Sequence, residues 1–249
     1  MTAAPLVPAL RVDQQASPAE VHAFFERDRL LAAYALADLD PANVKDCRWW
    51  VARREDVIVA AALLVHVLPF RPCFAMGEAE GLAAVFYEMK EQRLIVAAPP
   101  SARPGIEQTY RFERVDKMRR MTTSERTFLP RRPHRVKRLG PDDLEAMVDL
   151  YGEASRSYFT TARLEREIYF GVRVDGRIAS AAGTHVRSLE AGIAALGNVL
   201  TRPAYRGKGM ATSVTSAVTS AALEEHRDVV LNVRDQNLPA IAVYERLGY

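Results

Sequence analysis

The sequence predicts an α/β fold built as two successive units with the same order of elements. Three observations carry this. Apolar, strand-like runs alternate with stretches of helical apolar spacing along the chain. The order helix, strand, strand, strand, helix, strand, helix occurs twice. In the second half, an apolar strand meets a helix through a sharp basic turn with two glycines, Arg206-Gly-Lys-Gly-Met210.

In the first unit, residues 1–16 read as irregular with one edge strand. Ser17-Pro18-Ala-Glu20 is a helix start, with Ser17 as cap, Pro18 in the first turn and Glu20 closing a capping box. That helix is expected to reach residue 39 and break at Asp40-Pro41. Its apolar positions Val21, Phe24, Phe25, Leu30, Leu31 and Tyr34 suit packing on a sheet. Strands are expected over 48–52, 57–68 and 74–76, the first two joined by a turn at 53–56. A helix over 80–89, a strand over 93–98 stopped by Pro99-Pro100, a helix over 106–114 and a strand over 118–128 follow.

The join is placed near Pro130-Arg-Arg-Pro133, giving units 1–130 and 134–249. The second unit opens with a strand over 134–139 and a helix over 142–154. A hairpin of 168–174 and 177–186 turns across Asp175-Gly176. A strand over 191–201, a helix over 210–226, a strand over 229–233 and a helix over 238–247 complete it. Pro203 ends the first of these strands because it cannot donate to a sheet ladder. Met210, Val214, Ala217, Val218 and Ala221 share one face of the helix that follows.

Composition bounds the class. The chain has 249 residues, 49% hydrophobic and 26% charged, as in a soluble globular protein. No apolar run approaches the roughly 20 residues of a membrane-spanning helix. The N-terminus lacks a basic region followed by an apolar core, so no signal peptide is read. Cys47 and Cys73 are the two cysteines, without metal spacing, which reads as reduced thiols in a cytoplasmic protein. His22, His66, His134 and His226 share no metal spacing, and no metal site is expected. Residues 111–140 carry eleven Lys or Arg against three Asp or Glu. A basic strip can bind nucleic acid, but no aromatic interleaving or recognition motif accompanies this one. It reads as a solvated linker and helix face, with a nucleic-acid-associated protein as the alternative.

The turn after residue 201 has its own chemistry. Gly207 and Gly209 can take backbone conformations closed to other residues. A helix start offers free N–H groups and a partial positive charge, and Arg206 and Lys208 add full charges beside it. This is a cradle for a diphosphate. It is neither a Walker loop nor a dinucleotide fingerprint, since no Gly-Lys-Ser/Thr run and no G-x-G-x-x-G are present. The pattern Arg206-x-x-Gly209-x-Ala211 after Thr201-Arg-Pro203 resembles the acyl-CoA-binding signature of the GNAT superfamily of N-acyltransferases. Asn237, Pro239, Ala240, Tyr244 and the closing Glu245-Arg-Leu-Gly-Tyr249 resemble the family's tyrosine-bearing helix, in the family's order and spacing. The resemblance covers about residues 134–249. Gly183-Thr-His185 and Leu196-Gly-Asn-Val199 are similar to the glycine N-acyltransferase-like branch.

The resemblance implies two GNAT-like units, each a mixed, mostly antiparallel sheet flanked by helices, with acetyl-CoA or another acyl-CoA as co-substrate and an amine as acceptor. It puts the CoA diphosphate on Arg206, Gly207, Lys208, Gly209, Met210 and Ala211, and the pantetheine arm along Val199, Leu200 and Thr201, where the strand splays from its neighbour near Leu231. Asn237 reads as a helix cap, and the resemblance adds a cofactor contact; both stay open. Tyr244 is placed as proton donor to the leaving thiolate. For the base, His185 and Glu190 are the candidates, each acting through water. The first unit carries Gly77-Glu-Ala-Glu-Gly81 where the cradle would be, and two carboxylates repel a diphosphate, so it reads as a degenerate copy. GNAT domains continue past the glycine–aromatic pair with a further strand, so the second unit lacks that strand or takes it from another segment. A non-catalytic acyl-CoA sensor is the competing reading of the same cradle.

Overall fold

The computed structural model describes residues 9–68 and 70–249. The chain divides into two units, the first ending at Val115 and the second running Asp116–Tyr249.

In the first unit, β1 (Leu10–Asp13) is an edge strand paired antiparallel to β2. The capping box forms as read. Ser17 Oγ accepts from the Glu20 N–H at 3.3 Å, and Glu20 Oε2 accepts from the Ser17 N–H at 2.9 Å. The helix does not run on to residue 39. It is α1 (Pro18–Phe25), a 3-10 turn (Glu26–Asp28), and then α2 (Ala33–Asp38). At the break the Asp28 carboxylate accepts the Leu31 N–H at 3.3 Å, a bond that competes with helical pairing. The strands are β2 (Cys47–Arg54), β3 (Val57–Val65) and β4 (Pro72–Gly77). Then come α3 (Ala79–Met89), β5 (Ile95–Ala97) and α4 (Arg103–Ile106). The helix expected over 106–114 is this one turn only. Gly105 packs on the Ala79 carbonyl with no room for a side chain, and Tyr110 Oη donates to the Glu91 carbonyl at 2.6 Å. The sheet order is β1-β2-β3-β4-β5, antiparallel except for the parallel β4–β5 pair. Leu82, Val85, Phe86 and Met89 of α3 pack on Trp50, Ala52, Ala60, Ala62 and Leu64.

The second unit begins earlier than the residue-134 boundary. β6 (Met118–Ser124) belongs to its sheet, paired antiparallel with β11 from Met118↔Arg234 to Ser124↔Asp228. It covers the β11 edge of the second sheet. The following stretch stays with this unit too: the Leu129 N–H donates to the Leu247 carbonyl at 2.9 Å, and Thr123 Oγ1 to the Gly248 carbonyl at 3.1 Å. Sequence reading placed 118–128 in the first unit because strand composition does not say which sheet a strand joins.

The rest follows as β7 (Lys137–Leu139), α5 (Leu144–Tyr151), α6 (Thr161–Arg166), β8 (Tyr169–Val174), β9 (Arg177–Ser188), β10 (Ile193–Thr201), α7 (Met210–Leu223), β11 (Asp228–Arg234) and α8 (Leu238–Arg246). Helix α5 stops at Gly152, whose φ of 91° is outside helical space. Helix α6, capped by Thr160, was not anticipated, since six residues carry little periodicity. The sheet order is β6-β11-β10-β9-β8-β7. From β7 to β11 the pairings are antiparallel three times and then parallel, as in the first sheet. Neighbouring residues of β8 and β9 point to opposite faces. Val172, Ala179 and Ala182 join the core under α7 and α8, whereas Tyr169, Ile178 and Ala181 join the core under α5 and α6.

Candidate active site

The β10–β11 pairing runs from Ile193↔Asp228 to Leu196↔Leu231 and stops, although β10 continues to Thr201 and β11 to Arg234. The strands therefore part at the residue expected, Leu231. Past this point β10 no longer pairs with β11, so the edge of Val199, Leu200 and Thr201 that faces β11 is available to a peptide-like ligand.

The cause of the parting is local to β10. The β9–β10 register shifts between Gly197 and Leu200, and Asn198 stands at φ 52°. Such a bulge bends the strand and sets two successive residues on one face. Gly197 is required, because a Cβ there would lie 1.8 Å from Nε2 of His185. Asn198 is pinned by three tyrosines. Its Nδ2 donates to Tyr158 Oη at 3.1 Å and Tyr169 Oη at 3.0 Å, and its carbonyl accepts from Tyr151 Oη. A non-glycine residue in the left-handed region costs about 1–2 kcal/mol, which these bonds offset.

The bonds around Tyr158 fix proton positions. Its oxygen accepts from Asn198 Nδ2 and from Arg163 Nη1, at 3.1 Å, which uses both lone pairs. Its own proton therefore goes to His185 Nδ1, 3.1 Å away, and the neutral imidazole carries its hydrogen on Nε2. Burial and the Arg163 charge push the His185 pKa down to about 4. His185 is thus neutral at pH 7, with Nδ1 already engaged. Glu190 is exposed between β9 and β10, at the end of the hairpin away from the parted strands.

The cradle follows β10 directly. Arg202 is anchored to the Ile178 carbonyl at 2.8 Å and to Asp149 at 2.5 Å. A 3-10 turn (Pro203–Tyr205) leads to Arg206, whose Nε donates to the Thr201 carbonyl at 3.2 Å. Gly207 and Gly209 have φ of 74° and 80°, and nothing lies within 4 Å of where a Gly207 Cβ would stand. Lys208 Nζ lies 5.4 Å from the Tyr205 ring centroid. Met210, buried, starts α7, so the first-turn N–H groups of that helix face the cradle. Ring nitrogen Nε2 of His134 lies 2.5 Å from the Lys208 carbonyl and braces the turn from outside.

Asn237 is an observed cap: its Oδ1 accepts the Ala240 N–H at 3.3 Å. Tyr244 is buried with Leu196, Val199, Met210, Leu231 and Val233 on the α7–α8 face. Burial pushes its phenol up to about 12, and among the described residues nothing hydrogen-bonds its hydroxyl. His185 and Tyr244 therefore belong to opposite faces of the sheet, on either side of the parted strands. Sequence reading did not single out Tyr151, Tyr158, Arg163, Tyr169 or Asn198 as a cluster. Most lie in or beside the short elements between α5 and β8, where no periodic signal marks them.

Several cations of the basic strip are engaged within the second unit. Arg119 pairs with Asp235, Arg132 Nη2 donates to Ser220 Oγ at 2.7 Å, and Arg138 Nη2 donates to the Glu167 carbonyl at 3.0 Å. Both cysteines are buried, and burial raises both thiols, Cys73 to about 12. Among the described residues, no cluster of His, Cys, Asp or Glu could hold a metal ion, and no helix is long and apolar enough to cross a membrane.

Comparison with solved structures defines the class as the GNAT fold. A GCN5-related N-acetyltransferase from Kribbella flavida is 17% identical over 89% of this chain and 90% of that one, with a TM-score of 0.59. A GCN5-related N-acetyltransferase-like protein from Streptococcus suis is 15% identical over 94% and 95%, at 0.60. A tandem GNAT protein from the clavulanic acid biosynthesis pathway is 16% identical over 96% and 94%, at 0.58. The two mixed sheets flanked by helices share this architecture. Residues 134–249 match the acetyltransferase (GNAT) family, so the second unit carries a GNAT acetyltransferase-family domain. No curated protein matches the chain.

Proposed function

We propose that this protein is an acyl-CoA-dependent N-acyltransferase that moves an acetyl group from acetyl-CoA to a primary amine by direct attack. The observation that carries this is the continuity of two features: strands that part at Leu196 and Leu231, and a basic two-glycine turn at the start of α7. The first exposes backbone polar groups to an amide-bearing arm, and the second suits a diphosphate. On this reading Arg206, Gly207, Lys208, Gly209, Met210 and Ala211 hold the diphosphate, Val199, Leu200 and Thr201 take the pantetheine arm, and Asn237 adds a contact beside its capping role. The likeness of Gly183–His185 and Leu196–Val199 to the glycine N-acyltransferase-like branch is part of the same reading.

The amine nitrogen attacks the thioester carbonyl, and a β10 backbone N–H is suited to the oxyanion. Carbon–sulfur cleavage releases a thiolate beside Tyr244, whose phenol is protonated at neutral pH and donates to the sulfur. His185 carries its hydrogen on Nε2 and accepts from Tyr158 at Nδ1, so it takes the amine's proton through water only when the Tyr158 bond to Nδ1 gives way. A cysteine-linked intermediate is disfavoured because both thiols are buried in the first unit with raised pKa values. Reduced, buried cysteines also fit a cytoplasmic protein.

Gly209→Glu tests the cradle. It places a carboxylate against the diphosphate and a side chain at φ 80°, and acetyl-CoA affinity should fall about a hundredfold or more by calorimetry. Unchanged affinity in a folded variant rejects the site. Thiol release against a panel of amines separates an enzyme from an acyl-CoA sensor.

A further inference from the structure

Arg163 stands apart from the other arginines around it. Arg156 pairs with Glu145 and Glu153, Arg166 and Arg187 with Glu167, Arg173 with Asp143, and Arg177 and Arg202 with Asp149. Arg163 is half-buried, yet among the described residues no carboxylate lies within ion-pair distance of it. Its guanidinium is nevertheless held firmly. Nη1 donates to Tyr158 Oη and to the His185 carbonyl, both at 3.1 Å, and the group stacks 4.2 Å from the centroid of the Tyr158 ring. Nε and Nη2, by contrast, have no partner among the described residues. A partly desolvated cation without a counter-charge is costly.

Position gives the charge a purpose. Tyr158 Oη bridges Arg163 and Asn198, so the guanidinium is one hydroxyl away from the bulge where β10 leaves β11. It lies with the α5–α6 elements, on the face opposite Tyr244. The unspent edge, Nε with Nη2, is the planar fork that binds a carboxylate through two parallel bonds. Three contacts fix the group beforehand, which lowers the ordering cost of binding.

Resting on the acyltransferase reading above, we propose that the acceptor is an amine that also bears a carboxylate, and that Arg163 binds that carboxylate at the β10 bulge. Arg163 is a specificity-determining residue on this view, and the reacting atoms are the amine nitrogen and the thioester carbon.

The test compares amines in matched pairs, each amino acid against the amine in which hydrogen replaces the carboxylate, such as glycine with methylamine and β-alanine with ethylamine. Acyl transfer from acetyl-CoA is measured for the unaltered protein, Arg163→Met and Arg163→Lys. The unaltered protein should favour the carboxylated member at least tenfold in kcat/KM. Arg163→Met should abolish the preference, and Arg163→Lys, which keeps the charge without the fork, should retain part of it. Dividing the two ratios cancels intrinsic amine reactivity. Equal rates within pairs, or a preference that survives in Arg163→Met, overturns the proposal. Tyr158→Phe, which removes one contact to Arg163, should weaken the preference less than Arg163→Met and serves if the methionine variant does not fold. If acetyl-CoA binds but no amine is acylated, calorimetric titration of N-acetylglycine decides: binding lost in Arg163→Met supports the proposal, and absence of binding to the unaltered protein overturns it. Failure to bind acetyl-CoA would instead reject the acyltransferase reading, and the same titration still decides the role of Arg163.

Discussion

Two strand-to-helix turns occupy the same place in the two sheets. One joins β4 to α3 and the other β10 to α7. The first is closed. The Glu78 N–H donates to the Val59 carbonyl at 2.9 Å, and Glu78 and Glu80 pair with Arg54 at 2.7 and 3.1 Å. A Cβ on Gly77 would lie 2.4 Å from the Val59 carbonyl oxygen, so this glycine serves close packing. The β3–β4 register is regular up to Ala60↔Gly77. The second turn is open. Its two glycines have positive φ, its charges are Arg206 and Lys208, and its strand bulges before reaching it. Equal topology gives a packed turn in one sheet and an open, basic one in the other, which is why function must be argued from the residues at each turn. We propose that the first unit carries no CoA site.

The contrast can be sharpened from the largest effect downward. Tyr244→Phe keeps the ring and removes the hydroxyl proposed as proton donor. Turnover should fall roughly ten- to a thousandfold with acetyl-CoA affinity retained. Full turnover at saturating amine, with chemistry limiting the rate, would make Tyr244 a packing residue only.

His185 should show itself in stability. Its folded pKa of about 4 lies below the ordinary 6.5, so between these values the unfolded chain binds more protons than the folded one. Stability should be full above about pH 6.5 and fall as pH drops towards 4. His185→Asn, which keeps an acceptor for Tyr158, should flatten that slope by roughly 1–2 kcal/mol once partial exposure is allowed for. Denaturant titrations at pH 7 and pH 4.5 measure it, and identical slopes would refute the neutral, engaged state.

The smallest expected effect is on the first unit. Reversing its acidic turn with Glu78→Lys and Glu80→Lys should leave acetyl-CoA stoichiometry at one per chain, because that turn remains packed against Val59 and Ala60. A second equivalent by calorimetry would mean that charge alone separates the two turns.

Much was legible in sequence because it is local. The capping box at Ser17, the hairpin at Asp175-Gly176 and the glycine-rich basic turn each depend on residues a few positions apart. The repeat of element order was readable for the same reason, and with it the place of the basic two-glycine turn. Tertiary structure decided what depends on distant partners. Met118–Ser124 is apolar and polar in the manner of any strand, and only pairing with Asp228–Arg234 assigns it to the second sheet. Tyr151, Tyr158, Arg163, Tyr169, His185 and Asn198 are up to 47 positions apart, and each is an ordinary residue in its own segment. Asparagine at 198 tolerates left-handed backbone, but the choice of that conformation comes from three tyrosine hydroxyls delivered by other elements. Sequence spacing sets a turn, whereas a hydrogen-bond network closes only when folding brings its donors and acceptors within about 3 Å of one another.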